Sequence, residues 1–183
     1  KLGEIVSDKV FLRLDANRAW DIKQAVEVGL TIGCAAVEYI EEPFKDHEKL
    51  EEFFDQTTIP VALDESLENL HIQDVNALPG VDILIIKPTM LGGIEKAWQW
   101  SQQAHQIAIR TIISSSFESG IGISFLANLA ACPHILDPVG LDTLKYFQED
   151  ILHYPIEISK GNMPVRTPLR DTHLKTSLMT KIF

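Results

Sequence analysis

Four residues suited to acid–base or metal chemistry fall at near-regular intervals: Asp15, Glu41, Asp64 and Lys87. Glu41 lies 26 residues after Asp15, Asp64 lies 23 after Glu41, and Lys87 lies 23 after Asp64. Each closes a stretch with strand character, and strand side chains alternate between two faces. In VEYIEEPF (Val37–Phe44), Glu41 therefore shares a face with Tyr39 and Val37, while Glu42 points the other way. Carboxylates that converge from neighbouring strand ends repel unless a cation lies between them. Hard oxygen donors with water positions to spare suit Mg2+, with Mn2+ as the alternative. Such an ion acts as a Lewis acid on a substrate carboxylate and stabilises the enediolate formed when the α-proton leaves. Lys87, after the apolar run ILII, reads as an acid–base group or as a cation that stabilises that charge. The partner these residues imply is a small-molecule carboxylate.

The elements that must position these side chains alternate along the chain. Val10–Asn17 (VFLRLDAN) reads as a strand with Val10, Leu12 and Leu14 on one face and Phe11, Arg13, Asp15 and Asn17 on the other. Asp21 is placed to cap a helix, IKQAVEVGL, that ends near Gly29. Strands are expected at Val37–Glu42, Ile59–Ser66, Val81–Thr89 and Arg110–Ser116. Helices are expected at Asp46–Phe54, Ile94–Ile109 and Gly120–Ala131, with a short helix or turn at Asn69–Leu78. Strand–helix alternation predicts a parallel sheet with helical crossovers. The near-regular repeat favours an α/β fold of the (β/α) TIM-barrel type, with the site at the C-terminal ends of the strands. A doubly wound open sheet is the competing architecture, and no glycine-rich phosphate loop follows the first strand. The alternation stops near Tyr154, which divides the chain into a barrel portion, 1–153, and a polar C-terminal tail, 154–183.

Composition narrows the function classes. The 183 residues suffice for one domain with a real core, and hydrophobic residues make up 45%. The net charge of −10, with no basic cluster, argues against nucleic acid or an anionic membrane as partner. No apolar run reaches the roughly 20 residues of a membrane helix. With no signal peptide at the start, a cytoplasmic location is expected. Cys34 and Cys132 read as reduced core residues rather than a disulfide or a zinc site.

Other polar residues carry two readings each. Asn17 either bonds a ligand or its water, or caps a turn. Ser114–Ser116 is either a polar strand end or a set of backbone N–H groups offered to an anion. Glu42 and Glu65 read as supporting or helix-start charges rather than ligands. The six histidines show no metal spacing and receive no role, and Trp98 and Trp100 read as packing residues.

DAN at Asp15–Asn17, EEP at Glu41–Pro43, DES at Asp64–Ser66 and KP at Lys87–Pro88 resemble the barrel of the enolase superfamily. RLDANRAW (Arg13–Trp20), IKPTMLGG (Ile86–Gly93), SSSFESGIG (Ser114–Gly122) and GLDT (Gly140–Thr143) are similar to the o-succinylbenzoate synthase family within it. The resemblance covers roughly Phe11–Leu152. It implies Mg2+ held by Asp15, Glu41 and Asp64. It also implies dehydration of 2-succinyl-6-hydroxy-2,4-cyclohexadiene-1-carboxylate to 2-succinylbenzoate, a step of menaquinone and phylloquinone biosynthesis. Lys87 matches the lysine that stabilises the enediolate by a cation–π contact. Ser114 and Gly140 match positions whose backbone binds the succinyl carboxylate, and Arg13 matches an arginine near the substrate. The family further implies an N-terminal capping domain and a Lys-x-Lys motif whose second lysine moves the proton. No Lys-x-Lys precedes Asp15, so the expectation is a partial barrel: the metal-binding portion of a longer polypeptide, or one completed by a partner chain. Related racemases and dipeptide epimerases, and a non-catalytic partial barrel, are the alternatives.

Overall fold

The computed structural model of the chain describes residues 10–154, 156–165 and 173–179. In chain order the elements are β1 (Leu12–Asp15), α1 (Ile22–Ile32), β2 (Val37–Glu41), α2 (Leu50–Thr57), β3 (Val61–Leu63) and α3 (Ile72–Val75). There follow β4 (Val81–Ile86), α4 (Pro88–Leu91), α5 (Ile94–Gln106), β5 (Arg110–Ile113) and α6 (Gly120–Ala130). The strands stand in chain order in one sheet, and the pairs β1–β2, β2–β3 and β3–β4 are parallel. Parallel neighbours joined by helices form the repeat of a (β/α) barrel, and the fold is α/β with part of such a barrel. The described residues divide into two compact units: those up to Ile85 with Gln103–Thr111, and Ile86–Gln102 with those from Ile112 onward.

In the first unit, local signals in the sequence set each element. Asp21 accepts the Gln24 N–H at 2.8 Å, and the Gln24 side chain accepts the Asp21 N–H at 3.0 Å, a reciprocal cap that starts α1. The helix runs through Gly29 and stops at Gly33, whose φ of 84° an L side chain would resist. Gly29 is needed for close approach instead. A Cβ there would come within 2.9 Å of Thr57 Cγ2 and 3.2 Å of Ile59 Cδ1, so α1 lies tight against the end of α2. Leu50 and Phe53 of α2 are buried, and Phe44 meets Phe53 edge-on with ring centroids 5.9 Å apart. Ile40, Val61, Leu63, Ile83 and Leu84 fill the core of this unit. Every residue of β4 except Asp82 is buried, the signature of a strand covered on both faces.

The strands are shorter than the apolar pattern suggests, because their polar tips fold into turns. Glu42 has a φ of +42° just after β2. Asp64 leaves the strand conformation (φ −123°, ψ −90°), and Glu65–Glu68 form a tight helical turn. Lys87 ends β4 because Pro88 starts α4, a position that suits proline.

In the second unit, Gly92 and Gly93 carry φ of 109° and 119° between α4 and α5. Their N–H groups both reach the Pro88 carbonyl, at 3.1 and 2.7 Å. Asp150 supplies the acceptor at the start of α6, taking the Gly120 N–H at 2.8 Å. Residues 173–175 pair with 151–153, through the antiparallel Leu152–Leu174 bridge.

Two packing expectations are corrected. Cys34 is exposed rather than in the core, and Cys132 is half-buried; both are free thiols. Trp100 is buried, but Trp98, two residues along the same helix, is exposed, since a helix turns by about 200° over that distance. No helix among the described residues is long and apolar enough to cross a membrane.

Candidate functional site

The ends of the first three strands bring three carboxylates onto neighbouring positions. Asp15 and Glu41 are register partners across β1 and β2. Glu41 is also the partner of Ala62 in β3, and Asp64 follows β3 immediately. Asp15 is exposed, Glu41 half-buried and Asp64 buried. Asp15 Oδ1 accepts the Asn17 N–H at 2.9 Å. Asn17 thus acts on Asp15 through its backbone, in a turn where Asn17 and Arg18 have φ of 47° and 57°.

The donor set fits a hard divalent cation: three carboxylates from three consecutive parallel strands, with the turns beyond the strands setting where each side chain points. As the side chains stand, no three His, Cys, Asp or Glu residues among the described ones are gathered into a group that would hold an ion.

Of the acids at this end of the sheet, Glu42 is the most deeply buried, ahead of Asp64 and Glu41. Glu42 is 1% exposed. Its Oε1 accepts the backbone N–H groups of Asp64 (2.9 Å) and Ser66 (2.8 Å). Its Oε2 accepts from Arg18 Nε (2.9 Å) and from the Ser66 hydroxyl (2.9 Å). Ser66 has one proton and gives it to Glu42. The His47 Nε2 at 2.8 Å and the Arg18 Nη2 at 3.1 Å from Ser66 Oγ are therefore donors. Burial alone would push the Glu42 carboxyl up, but the Arg18 guanidinium, both N–H groups and the Ser66 hydroxyl hold it below its ordinary value. Main-chain bonds reinforce the cluster: Arg18 N–H to Glu42 O at 2.7 Å and Glu42 N–H to Ala62 O at 3.0 Å. The pattern R-A-W, E-E-P, D-E-S held the signal, but strand parity alone assigns Glu42 a face and no partner.

Arg13 belongs to a second cluster. Its guanidinium donates to Glu38 at 2.7 Å and lies 5.4 Å from the centre of the Tyr39 ring. Arg110 donates to the same Glu38. The bond from Arg13 chiefly holds the Glu38 carboxyl below its ordinary value, against the effect of burial and with help from Arg110. Burial pushes the Tyr39 hydroxyl up to about 12.

In the second unit, Lys87 is the half-buried residue between β4 and α4. Ser114 and Gly140 come together as a parallel bridge. Their N–H groups donate into the sheet, Ser114 to Ile86 O and Gly140 to Ile113 O, each at 2.9 Å, and the Ser115 and Ser116 N–H groups donate to Gly140 O and Glu118, so Ser114–Ser116 is a polar strand end rather than a set of N–H groups offered to an anion. Ser115 Oγ bonds Gly140 O at 3.0 Å and Thr143 Oγ1 at 2.9 Å. Glu118 ties the KPT and SSS turns, accepting from Thr89 Oγ1 at 2.5 Å and from the Ser116 N–H at 2.6 Å.

Residues 1–168 match the protein family described as Enolase C-terminal domain-like. The chain is 40% identical over 144 residues to the o-succinylbenzoate synthase of Yersinia pestis (strain Pestoides F), covering 77% of the chain and 44% of that protein. The chain thus spans about half the length of the curated relatives it matches. Among solved structures, it resembles a dipeptide epimerase from Enterococcus faecalis V583 (29% identity, TM-score 0.73, 84% of this chain and 46% of that one). It also resembles MenC from Desulfotalea psychrophila LSv54 (25% identity, TM-score 0.76, 88% of this chain and 47% of that one).

Proposed function

The chain belongs to the enolase C-terminal domain-like family, and on that premise we propose that it is the metal-holding portion of an o-succinylbenzoate synthase. The reaction is loss of water from 2-succinyl-6-hydroxy-2,4-cyclohexadiene-1-carboxylate to give 2-succinylbenzoate. The observation that carries the reading is the register of Asp15 with Glu41, and Asp64 at the tip of the next strand. The 40% identity to a protein of that name adds support for this substrate.

In this reading Asp15, Glu41 and Asp64 hold Mg2+. When bound, the ion supplies Lewis-acid stabilisation to the charge that develops on the substrate carboxylate as its α-proton leaves. Lys87 matches the family's lysine that stabilises the enediolate by a cation–π contact. Ser114 and Gly140 match the family's succinyl-carboxylate positions, and Arg13 matches an arginine near the substrate. Proton transfer in the family is the work of its Lys-x-Lys motif.

The likeness to a dipeptide epimerase favours a second reading, epimerisation at an α-carbon, by the same metal-binding residues. The test is conversion of the cyclohexadiene carboxylate by a polypeptide containing this chain, with Mg2+ and with EDTA. Deuterium uptake by a dipeptide in D2O is followed in parallel. EDTA-sensitive formation of 2-succinylbenzoate is expected. Deuterium uptake with no dehydration would replace the first reading with the second, and folded protein that binds no Mg2+ would remove both.

A further inference from the structure

We propose that Glu42 is a positioning residue for the candidate metal site, its carboxylate clamping the turns after β1, β2 and β3 so that the backbone segments bearing Asp15, Glu41 and Asp64 keep a fixed spacing. The inference rests on the reading of those three as ligands and adds a second set of residues to it: Glu42, Arg18, Ser66 and His47.

Each candidate ligand is tied to this carboxylate by a short path. Asp64 is held directly, its own N–H on Glu42 Oε1 at 2.9 Å. Glu41 is the preceding residue. Asp15 is three residues before Arg18, which contacts Glu42 twice: by its side chain at 2.9 Å and by its N–H, to the Glu42 carbonyl, at 2.7 Å. Ser66, two residues after Asp64, bonds Glu42 through both its N–H and its hydroxyl, and His47 buttresses that hydroxyl from the segment before α2.

Stability alone is a poor reason for this arrangement. Replacing a buried ion pair by apolar side chains of similar volume is often neutral or stabilising, because desolvation offsets the attraction. What it supplies is geometry, since several bonds converge on a single rigid group. The backbone agrees: Asn17, Arg18 and Glu42 all hold left-handed conformations, unusual for side-chain-bearing residues, in the turns the carboxylate joins. Groups that orient metal ligands from behind typically change metal affinity 10–100-fold when removed.

The experiment is calorimetric titration with Mg2+ of the chain and three variants, with folding followed by circular dichroism. Ser66→Ala leaves the net charge unchanged and keeps the backbone N–H, removing only the hydroxyl that links Glu42, Arg18 and His47. Glu42→Gln keeps the shape and removes the charge. Arg18→Gln separates positioning from simple electrostatics, because loss of a nearby cation by itself tightens Mg2+ binding. Each variant is expected to bind Mg2+ about tenfold more weakly. Folded Ser66→Ala and Arg18→Gln proteins that bind as tightly as the parent, or more tightly, overturn the positioning role. If Glu42→Gln does not fold, those two variants still decide. A parent chain that binds no Mg2+ overturns the metal reading, and the positioning role with it, so the two failures are distinct.

Discussion

Asp15 and Glu41 stand opposite each other at the C-terminal ends of β1 and β2, residue for residue in the parallel ladder. Asp64 lies just past the tip of β3, two residues beyond Ala62, the partner of Glu41. If these three are a ligand set, each member matters more than any group behind it. Asp64→Asn is expected to weaken Mg2+ binding by more than the roughly 10–100-fold typical of a supporting residue. Calorimetry checks this, and an unchanged affinity removes Asp64 from the ligand set.

Lys87 is expected to act on charge that develops during reaction, not on the metal. In a polypeptide that includes the Lys-x-Lys segment, Lys87→Ala should abolish turnover while Mg2+ affinity stays within about twofold, since uniform binding and transition-state stabilisation separate in this way. Retained turnover would reduce Lys87 to the residue that caps α4.

Acid should loosen the first unit through Glu38. Its carboxyl is held below the ordinary 4.5, chiefly by Arg13 and further by Arg110. A carboxylate depressed in the folded state contributes stability above its unfolded value and loses it as pH falls through the folded value. Urea midpoints should therefore drop as pH is lowered from 4.5. Glu38→Gln should show a shallower drop over that range. Equal slopes for the two proteins would mean that the Arg13–Glu38–Arg110 cluster contributes nothing to folding.

Gly29 offers a test of packing that does not involve the site. Valine at that position drives branched carbons into Thr57 Cγ2 and Ile59 Cδ1, where even a Cβ would come within 2.9 and 3.2 Å. Gly29→Val is expected to destabilise the chain by about 1–3 kcal/mol, the usual effect of overpacking. Chemical denaturation measures it, and a neutral result would mean that α1 can move away from α2 without loss.

The sequence carried the alternation of β1, the Asp21 cap of α1 and the double burial of β4, because each is written in residues a few positions apart. It also carried the three strand-end carboxylates, through their spacing. Glu42 was different. Its partners lie 22 and 24 residues away, and its orientation depends on a left-handed residue that strand parity does not anticipate. The strand tips were shorter than read for the same reason: apolar periodicity marks where a strand is buried, and says little about where a polar end bends. Cys34 and Trp98 looked like core residues by type, and side-chain type alone does not fix which face of an element a residue takes.

The conformation of residue 42 has a consequence for its neighbour. Left-handed backbone suits glycine or asparagine, and a glutamate there gives up about 1 kcal/mol of local comfort. The bend is held by the anchored side chain together with the main-chain bonds of Glu42 to Ala62 and Arg18. Two consecutive glutamates thus work as a hinge pin and a pointer: one is locked inside so that the other keeps its heading.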